Sequence, residues 1–415
     1  MSARTTTGRD VRLLFAARAV RLFAYGLLSV VLVLHLSELG LSQARIGLLL
    51  TLTLLGDTAI SLALTTRADR AGRRRMLLLG AALMVLAGAV FALARSFWVL
   101  LAAATVGVLS PSGNEVGPFL AVEQAALAQQ VAPERRTRLF AWYQLAGAAA
   151  TALGALAGGI LAEGLQRAGA TPLESYRAVI AGYAVLGLAL LGVFARLGPG
   201  AEAPAAGVPA RVPAFLEAGL GLGRSRRVVL RLSGLFAVDA FAGGFVVQSF
   251  VAWWFHQRFG ASEALLGAIF FGANLMAALS ALSAAAIARR IGLVNTMVLT
   301  HLPSNLLLVL VPFMPTLPLA VAVLLARFAI SQMDVPTRQS YTMAVVDPEE
   351  RSAAAGVTGM ARTVGASLAP LAAGPLYASA ALGGVPFLVA GGLKILYDLA
   401  LWRSFRALRP PEERR

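Results

Sequence analysis

Apolar stretches long enough to cross a bilayer recur along the whole chain, and no other feature limits its fold so tightly. They fall near residues 12–36, 45–65, 76–95, 98–129, 139–163, 175–195, 228–255, 264–287, 293–313, 317–345, 353–379 and 384–405. About 20 apolar residues carry a helix across the hydrocarbon core. Within that layer a helix satisfies its own backbone N–H and C=O groups, which an isolated strand or loop cannot do. The expectation is an all-α integral membrane protein with twelve transmembrane helices. Charged residues make up only 13% of the chain, against about 25% in soluble proteins.

The net charge of +16 would suggest nucleic acid in a soluble protein, but here the arginines crowd into short loops between apolar runs. Arg67, Arg70, Arg73, Arg74, Arg75, Arg135, Arg136, Arg138, Arg289 and Arg290 all fall on even-numbered loops. That bias predicts those loops and both termini in the cytoplasm and the chain in the cell membrane, with lipid rather than nucleic acid around it. Cysteine is absent and the three histidines, His35, His256 and His301, are scattered, so no disulfide, thiol nucleophile or metal centre is expected. No phosphate loop of the GxxxxGK[ST] type occurs, which argues against ATP as the energy source. No cofactor is expected, and no signal peptide is read at the N-terminus.

The chain repeats itself. Gly40 and Gly47 match Gly260 and Gly267, and Ala68, Arg70 and Gly72 match Ala288, Arg290 and Gly292, all at one constant offset. Further on, Gln124, Pro133 and Glu134 match Gln339, Pro348 and Glu349 at a second, slightly shorter offset. The reading is two six-helix bundles, 1–196 and 227–415, joined by a Pro/Gly/Ala-rich cytoplasmic linker at 197–226. Transporters place substrate sites at such repeat interfaces near the bilayer midplane.

The loop after the second span reads Asp69-Arg70-Ala71-Gly72-Arg73-Arg74. With the twelve-span, two-bundle layout, it resembles the loop signature of the major facilitator superfamily, although Thr65 stands where the signature begins with glycine. The resemblance implies an alternating-access transporter in which Asp69 locks the outward-open state, while Gly72 makes the turn and Arg70 and Arg73 hold the loop at the cytoplasmic headgroups. In the fifth span, Gly154, Gly158 and Gly159 resemble the glycine signature of the drug/proton antiporter branch, with Ala155 in place of its proline. The repeat-mate in the eleventh span keeps Pro370. That likeness implies export and a tight helix 5/11 interface, and small residues in membrane helices also serve simple close packing.

Ionisable groups in a bilayer are costly and therefore point to function or pairing. On the first span Arg18, Arg21, Tyr25 and Ser29 recur on one helical face. Arg21 and Tyr25 are read as facing a cavity and Arg18 as reaching out to the headgroups. Asn114, Glu115, Gln144, Asp239, Gln248 and Asp334 are further cavity candidates, with Asn274 and the Trp253-Trp254 pair behind them. Asp57, Glu115, Glu123, Asp239, Arg338 and Arg362 are candidates for proton coupling or gating. Four pairings are expected: a Glu123–Arg338 gate, a contact of the first-span arginines with Asp239, Arg362 against Asp69 or Glu123, and Lys394 with Asp398. Asp334 offers Arg338 a second partner on its own helix. Glu115 is placed about 12 Å above Glu123 by helical rise.

Two transport readings follow. One is proton-coupled export of a small molecule by a monomer, using protons or another coupling ion. The other is uptake or facilitated transport of an organic anion, favoured by Arg18, Arg21 and Arg338. A membrane enzyme or sensor fits less well, because no clustered catalytic set or added soluble domain is evident.

Overall fold

The computed structural model describes residues 2–203, 222–379, 381–406 and 408. Most of the linker expected at 197–226, and its Arg211, lie outside these residues. Among the described residues the chain is helical and has no strand. The first helices are α1 (Ser2–Glu38), α2 (Gln43–Ala71), α3 (Arg73–Leu93), α4 (Phe97–Val106), α5 (Phe119–Gln130), α6 (Pro133–Arg167) and α7 (Pro172–Ala195). There follow α8 (Arg226–Gly244), α9 (Gln248–Phe259), α10 (Glu263–Ile291), α11 (Leu293–Leu310), α12 (Leu317–Ser331), α13 (Asp334–Ala344), α14 (Arg351–Tyr377) and α15 (Val385–Phe405). Among the described residues, ten helical segments are long and apolar enough to cross a membrane. The α4–α5 pair and the more polar α14 occupy the two remaining expected spans.

The fourth span is not the continuous helix expected over 98–129. It stops at Val106 and restarts at Phe119. The break carries Gly107, Pro111, Gly113, Gly117 and Pro118, and Gly113 and Gly117 take φ of +71° and +83°, a region open to glycine at little cost. Backbone carbonyls freed at membrane depth must find partners inside the protein. They do: Tyr183 donates to the Val108 carbonyl at 2.6 Å, Ser110 to that of Asn114 at 2.7 Å and Tyr25 to that of Val116 at 3.1 Å.

The seventh and tenth spans are also interrupted, between α8 and α9 and between α12 and α13. At the first break Tyr377 donates to the Phe245 carbonyl at 3.2 Å, and at the second the Gln332 N–H donates to Ser280 at 3.2 Å.

The helices form two compact units. One comprises 1–210 with 248–271, and the other 211–247 with 272–415. The segment 248–271 thus packs with the first unit, whereas the sequence reading carried it with the second bundle. Each unit contains a pair of closely apposed helices. In the first, a Cβ added at Gly154 would overlap the Phe23 carbonyl, and one at Gly26 the Thr151 carbonyl, so α1 and α6 touch backbone to backbone. In the second, Gly365 lies on the Ala237 carbonyl and Gly244 on that of Ala366, which joins α8 to α14 in the same way. Gly158 packs on Leu27 and Gly159 on the Glu263 carbonyl, so Gly154, Gly158 and Gly159 serve close packing within the first unit. Pro370 lies inside α14.

Candidate functional site

In the first unit the break after α4 brings a carboxylate to α1. Arg21, fully buried, donates through Nη1 and Nη2 to the two oxygens of Glu123 at 2.7 Å each, and through Nε to Glu115 at 2.8 Å. Arg18 donates to the other Glu115 oxygen at 2.8 Å, to the Tyr143 carbonyl at 2.8 Å and to the Gln144 side chain. The Tyr143 hydroxyl donates to Glu123. Charge-assisted, bidentate pairs of this kind hold their geometry firmly. Two guanidiniums thus meet two carboxylates, and their charges balance. Gly147 leaves the room that the Arg18 guanidinium fills.

This geometry corrects three expectations. Arg18 is buried and paired, so it does not reach out to the headgroups. Glu115 is not separated from Glu123 by regular helical rise, because the backbone around Glu115 is not helical and both acids hold the same Arg21. Glu123 spends both oxygens on Arg21 rather than on Arg338.

Around this cluster, Tyr25 is buried against the break and Asn114 is exposed within it. Gln248 donates to Ser29 at 2.7 Å, and Trp253 to Ser37 at 3.3 Å. Asp57 is buried on α2 with no ion pair among the described residues. In the loop between α2 and α3, Arg73 pairs with the exposed Asp69 at 2.7 Å and donates to Gln129 at 2.8 Å. Gly72, at φ +100°, makes the turn. The Glu202 carboxylate then accepts the Arg73 and Arg74 N–H groups at 2.6 and 3.2 Å, an acid at a helix N-terminus as electrostatics favours.

In the second unit the charges converge on Asp239 of α8. Its Oδ1 accepts Lys394 at 2.5 Å, and its Oδ2 accepts Arg338 at 3.2 Å and Arg362 at 3.3 Å. Arg338 also pairs with Asp334 at 2.9 Å, as its spacing on one helix face predicted. Three cations therefore face two carboxylates. The Arg362 side chain is 35% exposed, while those of Arg338 and Lys394 are only 6% and 9% exposed. Behind this group, His301 pairs through Nδ1 with Asp398 at 2.8 Å, and Asn305 donates to the other Asp398 oxygen at 2.9 Å.

Here too the expected pairings give way. Lys394 turns to Asp239 rather than to Asp398 four residues on, and Asp398 takes His301 instead. Arg362 pairs with Asp239, not with Asp69 or Glu123. The first-span arginines and Asp239 each find their partners inside their own unit. Sequence reasoning missed Tyr143 and His301. An ionisable ring in the apolar run 293–313 was itself a signal for His301; Tyr143 carried none. No group of three metal-ligating side chains occurs among the described residues.

Buried charge clusters beside interrupted spans are an arrangement found in transporters, and comparison with known proteins identifies the family and the fold. The Major Facilitator Superfamily pattern matches residues 14–370. The uncharacterized membrane protein YJR124C of Saccharomyces cerevisiae is 32% identical over 418 residues, covering 95% of this chain and 93% of that one. Among solved structures, a bacterial homolog of the human lysosomal transporter Spinster superposes with a TM-score of 0.72 at 16% identity, covering 99% of both chains. The D-xylose-proton symporter gives 0.72 at 15% identity over 95% of this chain and 97% of that one. The human organic anion transporter MFSD10 gives 0.58 at 21% identity over 95% and 99%. At such identities these structures speak to the fold. Taken with the sequence match, they leave one conclusion: the chain belongs to the Major Facilitator Superfamily and is a multi-pass membrane transporter.

Proposed function

We propose that this transporter works by alternating access and carries a small organic anion together with protons. The observation that carries this reading is the sharing of Asp239 by Lys394, Arg338 and Arg362. Asp239 and Asp334, the second partner of Arg338, together cannot neutralise three cations, and uncompensated charge in a low-dielectric site is costly. An anionic substrate supplies the missing charge, and the part-exposed Arg362 is the residue that greets it. Asp57 serves as a proton carrier, because a carboxyl without an ion pair loses no pairing when it is protonated. MFSD10, which shares the fold, is itself an organic anion transporter. The arginine bias supports a place in the cell membrane with both termini cytoplasmic.

Export is the second reading, favoured by the likeness of Gly154, Gly158 and Gly159 to the antiporter motif. Proteoliposomes separate the two. The purified protein is first screened by thermal shift against anionic and cationic compounds, and the best ligand is then used for counterflow. Stabilisation by anions, lost in Arg362→Ala, with accumulation driven by an acidic exterior, supports the symport reading. Stabilisation by cations alone would sink it, and accumulation only under the opposite gradient would favour export.

A further inference from the structure

The second unit contains a buried acid whose counter-ion is not a lysine or an arginine. Asp398 is held by His301 Nδ1 at 2.8 Å and by Asn305 at 2.9 Å, and no other ion pair reaches it among the described residues. With Asp398 ionised the carboxylate can only accept, so the tautomer that satisfies this pair carries its hydrogen on Nδ1. The other ring nitrogen, Nε2, lies 3.9 Å from Asp239 Oδ1. One imidazole therefore links Asp398 to the carboxylate that holds the three cations. By the offset that matches Gly72 to Gly292, the repeat positions of His301 and Asn305 are Ala81 and Val85. The device belongs to the second unit alone, and symmetry does not demand it.

We propose that His301 is the proton-binding site of the second unit, and that its proton releases Arg362 from Asp239 for the transported anion. This rests on the anion reading above. Without the proton, the His301–Asp398 pair carries one negative charge and Asp239 serves its three cations. A proton from solvent adds to Nε2 while Nδ1–H stays in place. The pair becomes neutral, and a fourth cation then faces Asp239.

The neighbours decide which cation yields. On α13, Arg338 keeps Asp334 as a second partner. On α15, Lys394 is held by both the side chain and the carbonyl of Asp239. The Tyr397 ring meets His301 edge-on at 6.0 Å and carries no charge at neutral pH. Arg327 on α12 packs its guanidinium over Phe328 and adds to the positive field. Arg362 on α14 has one contact, the longest of the three, and the most exposed side chain. It is the cation that leaves. By linkage, whatever proton binding does to Arg362, an anion on Arg362 does in return to proton binding.

The test uses the full chain in detergent micelles with 15N-labelled histidine, and the ligand is the proton itself. Nuclear magnetic resonance follows the His301 ring, assigned in a His35→Gln/His256→Gln variant that retains His301 alone. The ring is expected to switch from neutral to charged as pH falls. Arg362→Gln should increase proton binding by about tenfold, since it removes a repelling cation. Asp398→Asn should weaken it by a similar factor. A ring that stays neutral down to about pH 4, far below the ordinary histidine value of ~6.5, overturns the proposal. So does a titration that Arg362→Gln leaves unmoved. If anions fail to bind or move while the ring titrates as expected, the anion reading fails and the proton site stands. If anions move but the ring does not respond, only the role of His301 falls.

Discussion

At the scale of single residues, pairing decides what a charge costs. Arg21 and Glu123 are fully buried and bonded through two parallel contacts. Removing Glu123 leaves the guanidiniums of Arg18 and Arg21 sharing the single carboxylate of Glu115, an uncompensated buried charge that costs about 3–5 kcal/mol. Glu123→Leu should therefore lower the melting temperature of the detergent-solubilised protein sharply, and Arg21→Met/Glu123→Leu should recover much of the loss. A double variant as unstable as the single one would show that the pair contributes more than mutual neutralisation. Glu350 offers a different case, outside the spans. Its carboxylate accepts the N–H groups of Gly223, Arg224 and Ser225 at 2.8, 3.1 and 3.0 Å, just ahead of α8. Desolvation opposes its charge, but these N–H donors outweigh it and hold its pKa below the ordinary value. A lowered folded-state pKa means the stabilisation is complete above the unfolded value of ~4.3 and fades as pH falls through the folded one. Glu350→Gln should thus be less stable than the parent at neutral pH, and the gap should close in acid. A gap independent of pH would assign the effect to shape rather than charge.

At the scale of elements, the two tightest helix contacts rest on glycine. α1 meets α6 and α8 meets α14 with backbone atoms facing each other, so a methyl group at Gly154 or Gly365 has nowhere to go. Gly154→Ala and Gly365→Ala should each destabilise by about 1–3 kcal/mol, the range for overpacking a filled site. Gly182→Ala, where a Cβ meets open space, is the control in the same thermal assay and should behave as the parent. Equal melting temperatures for all three would show that the helices slide apart without loss. These elements also show what a sequence can reveal. Span positions follow from apolar length, which is a local property. Gly113 and Gly117, with Pro111 and Pro118, announced a break that composition alone smoothed over, because the run stays apolar enough to cross. Apart from Arg338 with Asp334 on its own helix, which acid meets which base was not legible. Lys394 and Asp398 share a helix spacing, yet helix rotation turns one to Asp239 and the other to His301. Pairing depends on how α8, α11 and α15 pack, and no single segment encodes that.

At the scale of the whole molecule, the repeat supplies the frame and the charges break its symmetry. In the first unit two arginines balance two acids at the interrupted span, and Asp57 stands apart from them without an ion pair among the described residues. In the second, cations outnumber acids around Asp239, and a histidine bridges to Asp398. A transporter that couples two ligands needs sites whose occupancy changes the cost of its states, since a ligand shifts an equilibrium only by its differential affinity. In the proposed mechanism Asp57 meets that need for a proton. If protonation of Asp57 is required only when the empty carrier or the loaded carrier must reorient against a pH gradient, Asp57→Asn mimics the permanently protonated acid. Anion exchange between the two faces of a proteoliposome, in which no net proton moves, should then continue at a rate near that of the parent. Accumulation driven by an imposed pH gradient should be lost. The same anion, the same vesicles and the two driving conditions give the comparison. Loss of both activities in a variant that still melts like the parent would remove Asp57 from coupling and make it a part of the substrate site. Retention of both would leave proton movement to other groups.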